Sequence, residues 1–193
     1  MDEKYISNFF QQEVKHKTDV RVINQDLWQC IVSYICSSAS NVNKIRKNVE
    51  NIAKTFGNTT KFQNQKIHLF PTPGKINNEQ KLKDCKVGYR AKYILAANQI
   101  CTQKFLTNLK TLPYEDAHQQ LKTIPGIGDK VADCICLFAL KHHQAFPLDV
   151  HIKRHAAKMN WTGNYKQQSE QAIAHYGPLA GWHQQEIYFN ARN

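Results

Sequence analysis

A short break between two helical patterns constrains the fold of this chain more than any other sequence feature. The break is Ile124-Pro125-Gly126-Ile127-Gly128, a tight Pro-Gly-x-Gly turn. A short helix that starts at Pro113 precedes the turn, and a longer apolar helix follows it from about Asp129 to Lys141. The two glycines let the backbone adopt the positive φ angles of a tight turn. The sequence therefore predicts a helical hairpin at residues 124–128.

The rest of the chain also follows the helical period of apolar residues. Leu27, Ile31 and Ile35 recur at steps of four, and a second series runs from Val42 to Phe56, where Gly57 ends it. Residues 58–75, with two prolines and a glycine, are predicted to form a long loop. Alternating strand patterns are nearly absent, so the predicted class is all-α. Further helices are predicted over about Tyr89 to Leu109, from Asp149 through Met159, and over about Leu179 to Ala191.

The charge balance favours a polyanionic partner. Lysine and arginine number 26 against 15 aspartate and glutamate, which gives a formal net charge of +11. The hydrophobic fraction of 41% is that of a folded globule, so the excess charge belongs to a folded surface. Nucleic acid is the commonest partner for such a surface, while an anionic membrane or a solubility device would give the same balance.

Cysteine spacing and hydropathy exclude several classes of protein. The six cysteines form no Cys-x-x-Cys pair, so no zinc or iron–sulfur site is predicted, and no cofactor is expected. No apolar run approaches the roughly 20 residues that span a bilayer. The start Met1-Asp2-Glu3-Lys4 lacks the pattern of a secretory signal. We therefore expect a soluble intracellular protein with no membrane partner, in the cytoplasm or nucleoid, or in the nucleus of a eukaryote.

The hairpin is suited to binding a phosphate through its backbone. Gly126 and Gly128 allow the backbone to approach a surface closely. Free N–H groups at the start of the second helix can then donate to phosphate oxygens without any side chain. An ordinary corner between two helices is the alternative. The proline and the flanking Ile124 and Ile127 favour the DNA-binding interpretation.

Lys130 is the candidate nucleophile of the helix after the turn. It lies in the first helical turn, where the positive end of the helix dipole disfavours a second positive charge and so favours a neutral, nucleophilic amine. Cys134 is four residues further on and shares its face. Taken by itself, a lysine at this position is more often a solvated helix residue or a phosphate contact than a nucleophile.

Asp149 is the candidate carboxylate, placed as the N-cap of the helix after Pro147. A carboxylate close to a nucleophilic amine suits the breaking of an N-glycosidic bond, because it stabilises the oxocarbenium-like sugar and helps proton transfer. A purely structural cap is the commoner role for such an aspartate. Lys153 and Arg154 on the same helix are candidates for flanking phosphate contacts, or ordinary solvated charges.

Five segments together resemble one enzyme family. The runs IPGIGDKVADCICLFAL at 124–140 and QAFPLDVHI at 144–152 closely resemble the 8-oxoguanine DNA glycosylase/AP lyases of the helix-hairpin-helix (HhH-GPD) superfamily. ICSS at 35–38, GYRAKY at 88–93 and AGWHQQEIYF at 180–189 extend the resemblance over nearly the whole chain from about Arg21. It implies two helical lobes with the active site in the cleft between them. Residues 26–141 would form one lobe, and residues 1–25 with 142–193 the other.

The resemblance also implies an activity and the residues that carry it. Lys130 matches the nucleophile that attacks the sugar C1′, expels the oxidised base and forms a Schiff base that leads to β-elimination. Asp149 matches the catalytic carboxylate. Cys134 and Tyr188 match residues on the two faces of the flipped base, and Gln184 matches the reader of its Watson–Crick edge. The implied partner is duplex DNA that contains oxidised guanine, bound by a monomer.

Three further matches concern DNA around the flipped nucleotide. Tyr89 matches a wedge that fills the gap left by the base, and Arg90 a contact to the widowed opposite base. His151 matches a phosphate contact. The chain ends five residues after Tyr188, which would place the C-terminal carboxylate near the base as well.

The sequence departs from the family in two places that matter for substrate reading. The eukaryotic-type enzymes carry an N-terminal β-rich domain that senses the protonated N7 of 8-oxoguanine, whereas only 20 residues precede Arg21 here. The family's Asn-Asn-Asn after ICSS is Ala39-Ser40-Asn41 in this chain, which predicts a weaker preference for cytosine opposite the lesion.

Three alternative functions remain open beside the 8-oxoguanine enzyme. A monofunctional glycosylase would keep the hairpin and Asp149 but use water as nucleophile. A bifunctional enzyme for oxidised pyrimidines would share Lys130 and Asp149 and differ in the base pocket. A non-catalytic DNA-binding module would need neither residue.

Overall fold

The computed structural model describes residues 20–191, and this part of the chain is mostly helical. Two short strands, β1 (Thr59–Phe62) and β2 (Gln65–His68), form the sheet found in this range. Single 3₁₀ turns, Gly88–Arg90 and Gly177–Leu179, precede the helices that begin at Ala91 and Ala180. The predicted all-α class is confirmed. The helices are α1 (Leu27–Ser37), α2 (Val42–Phe56), α3 (Glu79–Asp84), α4 (Ala91–Ile100), α5 (Gln103–Leu109), α6 (Tyr114–Lys122), α7 (Asp129–Ala139), α8 (Val150–Lys158), α9 (Tyr165–Tyr176) and α10 (Ala180–Asn190).

Side-chain caps fix where several helices begin. The Asp26 side chain accepts from the backbone N–H of Gln29 at 2.9 Å and starts α1. Asn41 caps α2 in the same way, with the N–H of Lys44 as donor at 2.9 Å. Asn164 forms a capping box with Gln167 at the start of α9. Each cap satisfies an N–H group that has no partner within its helix.

The prediction of a loop over residues 58–75 is wrong for residues 59–68, which form the hairpin of β1 and β2. β1 and β2 pair antiparallel from Thr59 opposite His68 to Phe62 opposite Gln65. The two turn residues, Gln63 and Asn64, both have positive φ, 47° and 62°, as a two-residue hairpin turn requires. Almost every residue of the two strands is exposed, so no alternation of apolar and polar residues marks them in the sequence.

The single helix predicted from Tyr89 to Leu109 is interrupted at Cys101 and Thr102, between α4 and α5. The Thr102 hydroxyl accepts from the N–H of Phe105 at 3.2 Å and so caps a new helix. Two further helices, α3 and α9, are not predicted from the sequence. The six residues of α3 are too few to show a period, and α9 is rich in glutamine and poor in large apolar residues.

Two separate hydrophobic clusters form the core of the described chain. The first is built from α1 to α7 and runs from Leu27 to Ala145. The second runs from Phe146 to Ala180 and gathers residues of α8, α9 and the start of α10. Val22 packs against the first cluster, and the N–H of Gln25 donates to Phe138 O at 2.7 Å. Val22 and Gln25 therefore contact the first cluster, whereas residues 1–25 are predicted to belong to the second lobe.

The helix α10 approaches the end of α7 closely at Gly181. The Gly181 N–H donates to His143 O at 2.7 Å. A Cβ on Gly181 would lie 2.7 Å from Ala145 O and 2.8 Å from His143 O. Any larger residue would force α10 outward, so this glycine determines how near the side chains of α10 come to α7.

Some predictions fall outside the structure that is described. These are the assignment of residues 1–19 to the second lobe and the placement of the C-terminal carboxylate. Between residues 20 and 191, no helix has both the length and the apolar character needed to span a membrane.

Candidate active site

A cleft between the two clusters brings together five of the residues predicted from the sequence. It encloses a pocket of about 360 Å³, within the usual size range of small-molecule sites. Lys130 and Cys134 reach it from α7, Asp149 from the start of α8, and Gln184 and Tyr188 from α10. The other lining residues are Gln25, Ser33, Tyr34, Ser37, Val42, Ile45, Phe138, Pro147 and Gln185.

Lys130 and Cys134 lie on one face of α7, as their spacing predicts. Lys130 is half-buried, and its Nζ lies 5.5 Å from the centre of the Tyr34 ring. Cys134 is only 4% exposed. Burial raises the pKa of the Cys134 thiol from 9.0 to about 11, and the nearby Lys130 charge opposes that rise. The pocket therefore places an amine beside a buried, neutral thiol.

Asp149 is the N-cap of α8, and this prediction is confirmed. Its Oδ1 accepts from the N–H of Ile152 at 2.9 Å, which fixes the rotation of the carboxyl group. The residue before it, Leu148, is buried, while Val150 after it is 67% exposed. Asp149 thus stands at the boundary between the core and the cleft, with its carboxylate in the pocket wall.

Gln184 and Tyr188 share one face of α10, as expected from their spacing. Gln184 is 3% exposed, and its Nε2 donates to Pro147 O at 3.0 Å. Its Oε1 accepts from Gln185 Nε2 at 2.5 Å. The Tyr188 ring meets the His151 ring edge to face, with centroids 5.8 Å apart. The carboxamide of Gln184 is therefore held in a fixed orientation at the pocket wall.

The pocket has an aromatic wall that is not predicted from the sequence. The rings of Tyr34 and Phe138 stack with centroids 6.1 Å apart and an angle of 13°. Burial raises the pKa of the Tyr34 hydroxyl strongly, so this side chain is neutral. One sequence signal was available: Ser33, Tyr34 and Ser37 form a polar stripe on α1, whose other residues are mostly buried and apolar.

The hairpin has the predicted position but only one of the two predicted positive φ angles. Gly126 has φ +89°, and a Cβ there would lie 2.8 Å from the Tyr93 ring. Gly128 has φ −102° and ψ −176°, an extended conformation open to any residue, and is the N-cap of α7. A Cβ on Gly128 would meet no atom of the protein within 4 Å. The backbone at Gly128 is thus exposed and unobstructed.

Tyr89 and Arg90 differ in their exposure. Tyr89 is 55% exposed and packs edge to face on Tyr93, the ring that also covers Gly126. Arg90 is 3% exposed. Its guanidinium donates to Ser38 O at 3.0 Å, Ala39 O at 3.1 Å and Val87 O at 3.2 Å. Arg90 therefore holds the turn after α1, in which Ala39 adopts a positive φ of 45°.

The remaining predicted DNA contacts lie outside the pocket wall. Lys153 and Arg154 are exposed on α8, and His151 is half-buried beside Tyr188. Within the described range 20–191, no three or more His, Cys, Asp or Glu residues come together as ligands for a metal ion.

Known proteins with related sequences are DNA repair enzymes. An N-glycosylase/DNA lyase of Saccharomyces cerevisiae is 34% identical over 155 residues, which are 72% of this chain and 41% of that protein. The N-glycosylase/DNA lyase OGG1 of Arabidopsis thaliana is 29% identical over 197 residues, which are 93% of this chain and 54% of that protein. This chain thus spans about half the length of these relatives, or less.

Solved structures show the same architecture. The Clostridium acetobutylicum 8-oxoguanine glycosylase/lyase, in complex with double-stranded DNA containing cytosine opposite 8-oxoguanine, superposes with a TM-score of 0.85 and 26% identity. The match covers 98% of this chain and 68% of that one. A 3-methyladenine DNA glycosylase from Archaeoglobus fulgidus has the same fold, with a TM-score of 0.74 and 20% identity.

A family model gives the assignment. It describes the HhH-GPD superfamily base excision DNA repair protein and matches residues 32–178. That range includes the hairpin, Lys130 and Asp149 and most of both hydrophobic clusters. The chain therefore belongs to the HhH-GPD superfamily of base excision DNA repair proteins.

Proposed function

We propose that this chain is a bifunctional DNA glycosylase that removes 8-oxoguanine from duplex DNA and cleaves the strand by β-elimination. One observation carries the proposal: a lysine and a carboxylate from the two sides of the cleft, Lys130 and Asp149, line one pocket with Cys134, Gln184 and Tyr188. The names of the yeast and Arabidopsis relatives, N-glycosylase/DNA lyase, support both activities. The 8-oxoguanine complex of the Clostridium enzyme supports the substrate.

Lys130 supplies the nucleophile in this mechanism. As a neutral amine, it attacks C1′ of the flipped nucleotide, and the glycosidic bond breaks with its electron pair leaving on the base. The attacking nitrogen loses a proton, which the departing base takes up. The C1′–O4′ bond of the resulting N,O-acetal then breaks, which opens the sugar ring as a protonated Schiff base with O4′ as a hydroxyl. Loss of a proton from C2′ expels the 3′ phosphate. The Asp149 carboxylate stabilises the positive charge that develops on the sugar. Its bond to the N–H of Ile152 holds it in place during that step.

The pocket suits a flat purine held between two faces. The buried thiol of Cys134 covers one face, and the Tyr188 ring stacks on the other. Gln184 presents a carboxamide, which both donates and accepts hydrogen bonds, to the Watson–Crick edge. Its Nε2 has a second N–H beside the one donated to Pro147 O, and its Oε1 has a second lone pair beside the one that accepts from Gln185, so both groups retain capacity for a base.

The surface around the cleft suits binding of a DNA duplex by a monomer. The exposed backbone at Gly128 donates to a phosphate, and Gly126 forms the turn that presents it. His151, Lys153 and Arg154 contact phosphates beside the flipped nucleotide. Tyr89 fills the gap in the stack. Arg90 is predicted to contact the widowed base, but its guanidinium is buried against the carbonyls of Ser38, Ala39 and Val87, so it reaches that base only by giving up one of these bonds. The two lobes, about 26–141 and 142–191 in the described chain, hold the DNA across the cleft.

The protein acts where DNA is, in the cytoplasm or nucleoid, or in a nucleus.

The test uses duplex oligonucleotides that each carry one lesion. Four substrates separate the functions: 8-oxoguanine, an oxidised pyrimidine, an alkylated purine and undamaged DNA. Sodium borohydride in a parallel reaction traps any Schiff base as a covalent protein–DNA adduct. We expect excision and trapping with 8-oxoguanine. Excision without trapping would indicate a monofunctional enzyme, and binding alone a non-catalytic module.

Two variants and one control assign the chemistry. Lys130→Gln should bind the 8-oxoguanine duplex and give neither product nor adduct. Asp149→Asn should lower the single-turnover rate by about 10²- to 10³-fold, the usual cost of removing an oriented charge from a developing cation. Lys83→Gln removes an exposed lysine of α3, paired with Glu79 at 2.7 Å, and should act like the wild type. An adduct of normal yield with Lys130→Gln would refute the assignment.

A further inference from the structure

A buried carboxylate lies on α7 outside the pocket. Asp133 is fully buried, and the residues that line the pocket from the same helix are Lys130, Cys134 and Phe138. Its Oδ1 accepts from the Tyr114 hydroxyl of α6, and its Oδ2 from the Tyr165 hydroxyl of α9, both at 2.6 Å. His118 Nε2 lies 3.4 Å from Oδ1. Such short bonds to both oxygens are needed to offset the cost of burying a carboxylate.

Tyr165 connects this carboxylate to the backbone beside Asp149. Its hydroxyl donates to Asp133 and at the same time accepts from the N–H of Leu148 at 3.2 Å. Leu148 directly precedes Asp149 and is 2% exposed. Two hydrogen bonds through one phenol therefore join the helix that carries Lys130 to the segment that carries Asp149.

The segment Pro147-Leu148-Asp149 is held at each of its three residues. Pro147 O accepts from Gln184, the Leu148 N–H donates to Tyr165, and Asp149 Oδ1 accepts from the N–H of Ile152. Of these three bonds, the one at Leu148 leads through Tyr165 to a side chain of α7. The Tyr114 bond to Asp133 has equal length but comes from α6, within the first lobe.

We propose that Asp133 and Tyr165 are positioning residues that set where Asp149 lies relative to Lys130 across the cleft. The proposal rests on the proposed function, because it concerns the geometry of that reaction. Membership of the superfamily does not by itself imply this positioning role, because Tyr165 lies on α9, a helix in which the sequence shows no motif. Burial raises the pKa of Asp133, and the two phenols that donate to it oppose this rise, as expected if they stabilise the charged form.

A pair of matched variants tests the proposal. Tyr165→Phe and Tyr114→Phe each remove one 2.6 Å bond to Asp133 and keep the ring. Tyr165→Phe also releases the Leu148 N–H, whereas Tyr114→Phe leaves that N–H bonded to Tyr165. We expect both to lower the melting temperature, and Tyr165→Phe to lower it more, because that variant also leaves the buried Leu148 N–H without a partner. Tyr165→Phe should in addition lower the single-turnover excision rate by about 10- to 100-fold, the effect of a misplacement on the order of 1 Å.

Two further readouts separate positioning from general damage. The Kd for the 8-oxoguanine duplex should stay unchanged in Tyr165→Phe, because only the step after binding is affected. Hydrogen exchange of the Leu148 N–H should accelerate in Tyr165→Phe and not in Tyr114→Phe. Equal excision rates in the two variants, or a rate loss matched by an equal loss of affinity, would overturn the proposal. An inactive wild type would instead overturn the proposed function, and the positioning role with it.

Discussion

The hairpin offers the sharpest test of how this protein holds DNA, because its two glycines have different environments. Gly128 has a backbone conformation that alanine adopts freely, and a methyl group there would meet no protein atom within 4 Å. Gly126 has φ +89°, and a methyl group would lie 2.8 Å from the Tyr93 ring. Gly128→Ala therefore tests the approach of DNA, whereas Gly126→Ala also disturbs the fold.

The expected magnitudes follow from these environments. Alanine at the positive φ of Gly126 costs about 1–2 kcal/mol, before any movement of Tyr93. In a domain of this size, that lowers the melting temperature by about 2–8 °C. Gly128→Ala weakens the N-cap and restricts the unfolded chain, two effects that each stay near or below about 1 kcal/mol and oppose each other. Its effect on stability should be small.

Gly128→Ala should weaken DNA binding strongly, although it changes the stability of the fold little. If the methyl group blocks one bond from the backbone to a phosphate, about 1.5–3 kcal/mol is lost, or roughly 10- to 100-fold in Kd. Undamaged and 8-oxoguanine duplexes should lose affinity equally, since the contact reads no base. The slope of log Kd against log salt should not change, because no charge is removed. Lys153→Ala and Arg154→Ala should each lower that slope by about 0.9.

Fluorescence anisotropy with labelled duplexes over a range of salt concentrations measures both quantities. A Gly128→Ala variant with wild-type affinity and wild-type stability would refute the reasoning. The hairpin would then be an ordinary corner between two helices.

Three other predictions concern base selection and pH. Gln184→Ala should lose selectivity for 8-oxoguanine over guanine more than general DNA affinity, since an unpaired base edge costs about 1–3 kcal/mol; normal excision rates would contradict this. Ala39 offers no polar side-chain atom to the base opposite the lesion, and the Asn41 side chain caps α2. The preference for cytosine at that position should therefore be weakened, by about tenfold for each 1.4 kcal/mol of contact energy lost. Single-turnover excision from duplexes with each of the four bases opposite 8-oxoguanine measures this preference. A preference of several hundredfold that Asn41→Ala abolishes would show that Asn41 reads the base. Burial holds the pKa values of His155 and His183 below 6.5. As the pH falls through 6.5, the unfolded chain therefore takes up protons before the folded protein does. Urea titrations should show that the free energy of unfolding falls between pH 7.5 and pH 5.5. A constant or rising value would contradict the burial of these rings.

The base pocket shows how far local spacing reaches. Lys130 with Cys134, and Gln184 with Tyr188, were placed on shared faces because residues four apart on a helix are neighbours. The stacked pair of Tyr34 and Phe138 was not predicted. These residues lie on different helices far apart in sequence, and no local pattern records that α1 packs against α7.

Local interactions are what the sequence determined by itself. The helical class, the turn at Ile124–Gly128 and the cap at Asp149 depend on residues within a few positions of one another, so their patterns are legible in the chain. The tertiary structure alone decided which glycine takes a positive φ, that Arg90 is buried on the carbonyls of Ser38 and Ala39, and that Tyr165 joins Asp133 to Leu148. These outcomes depend on the packing of elements distant in sequence, where burial and partner geometry outweigh local preference.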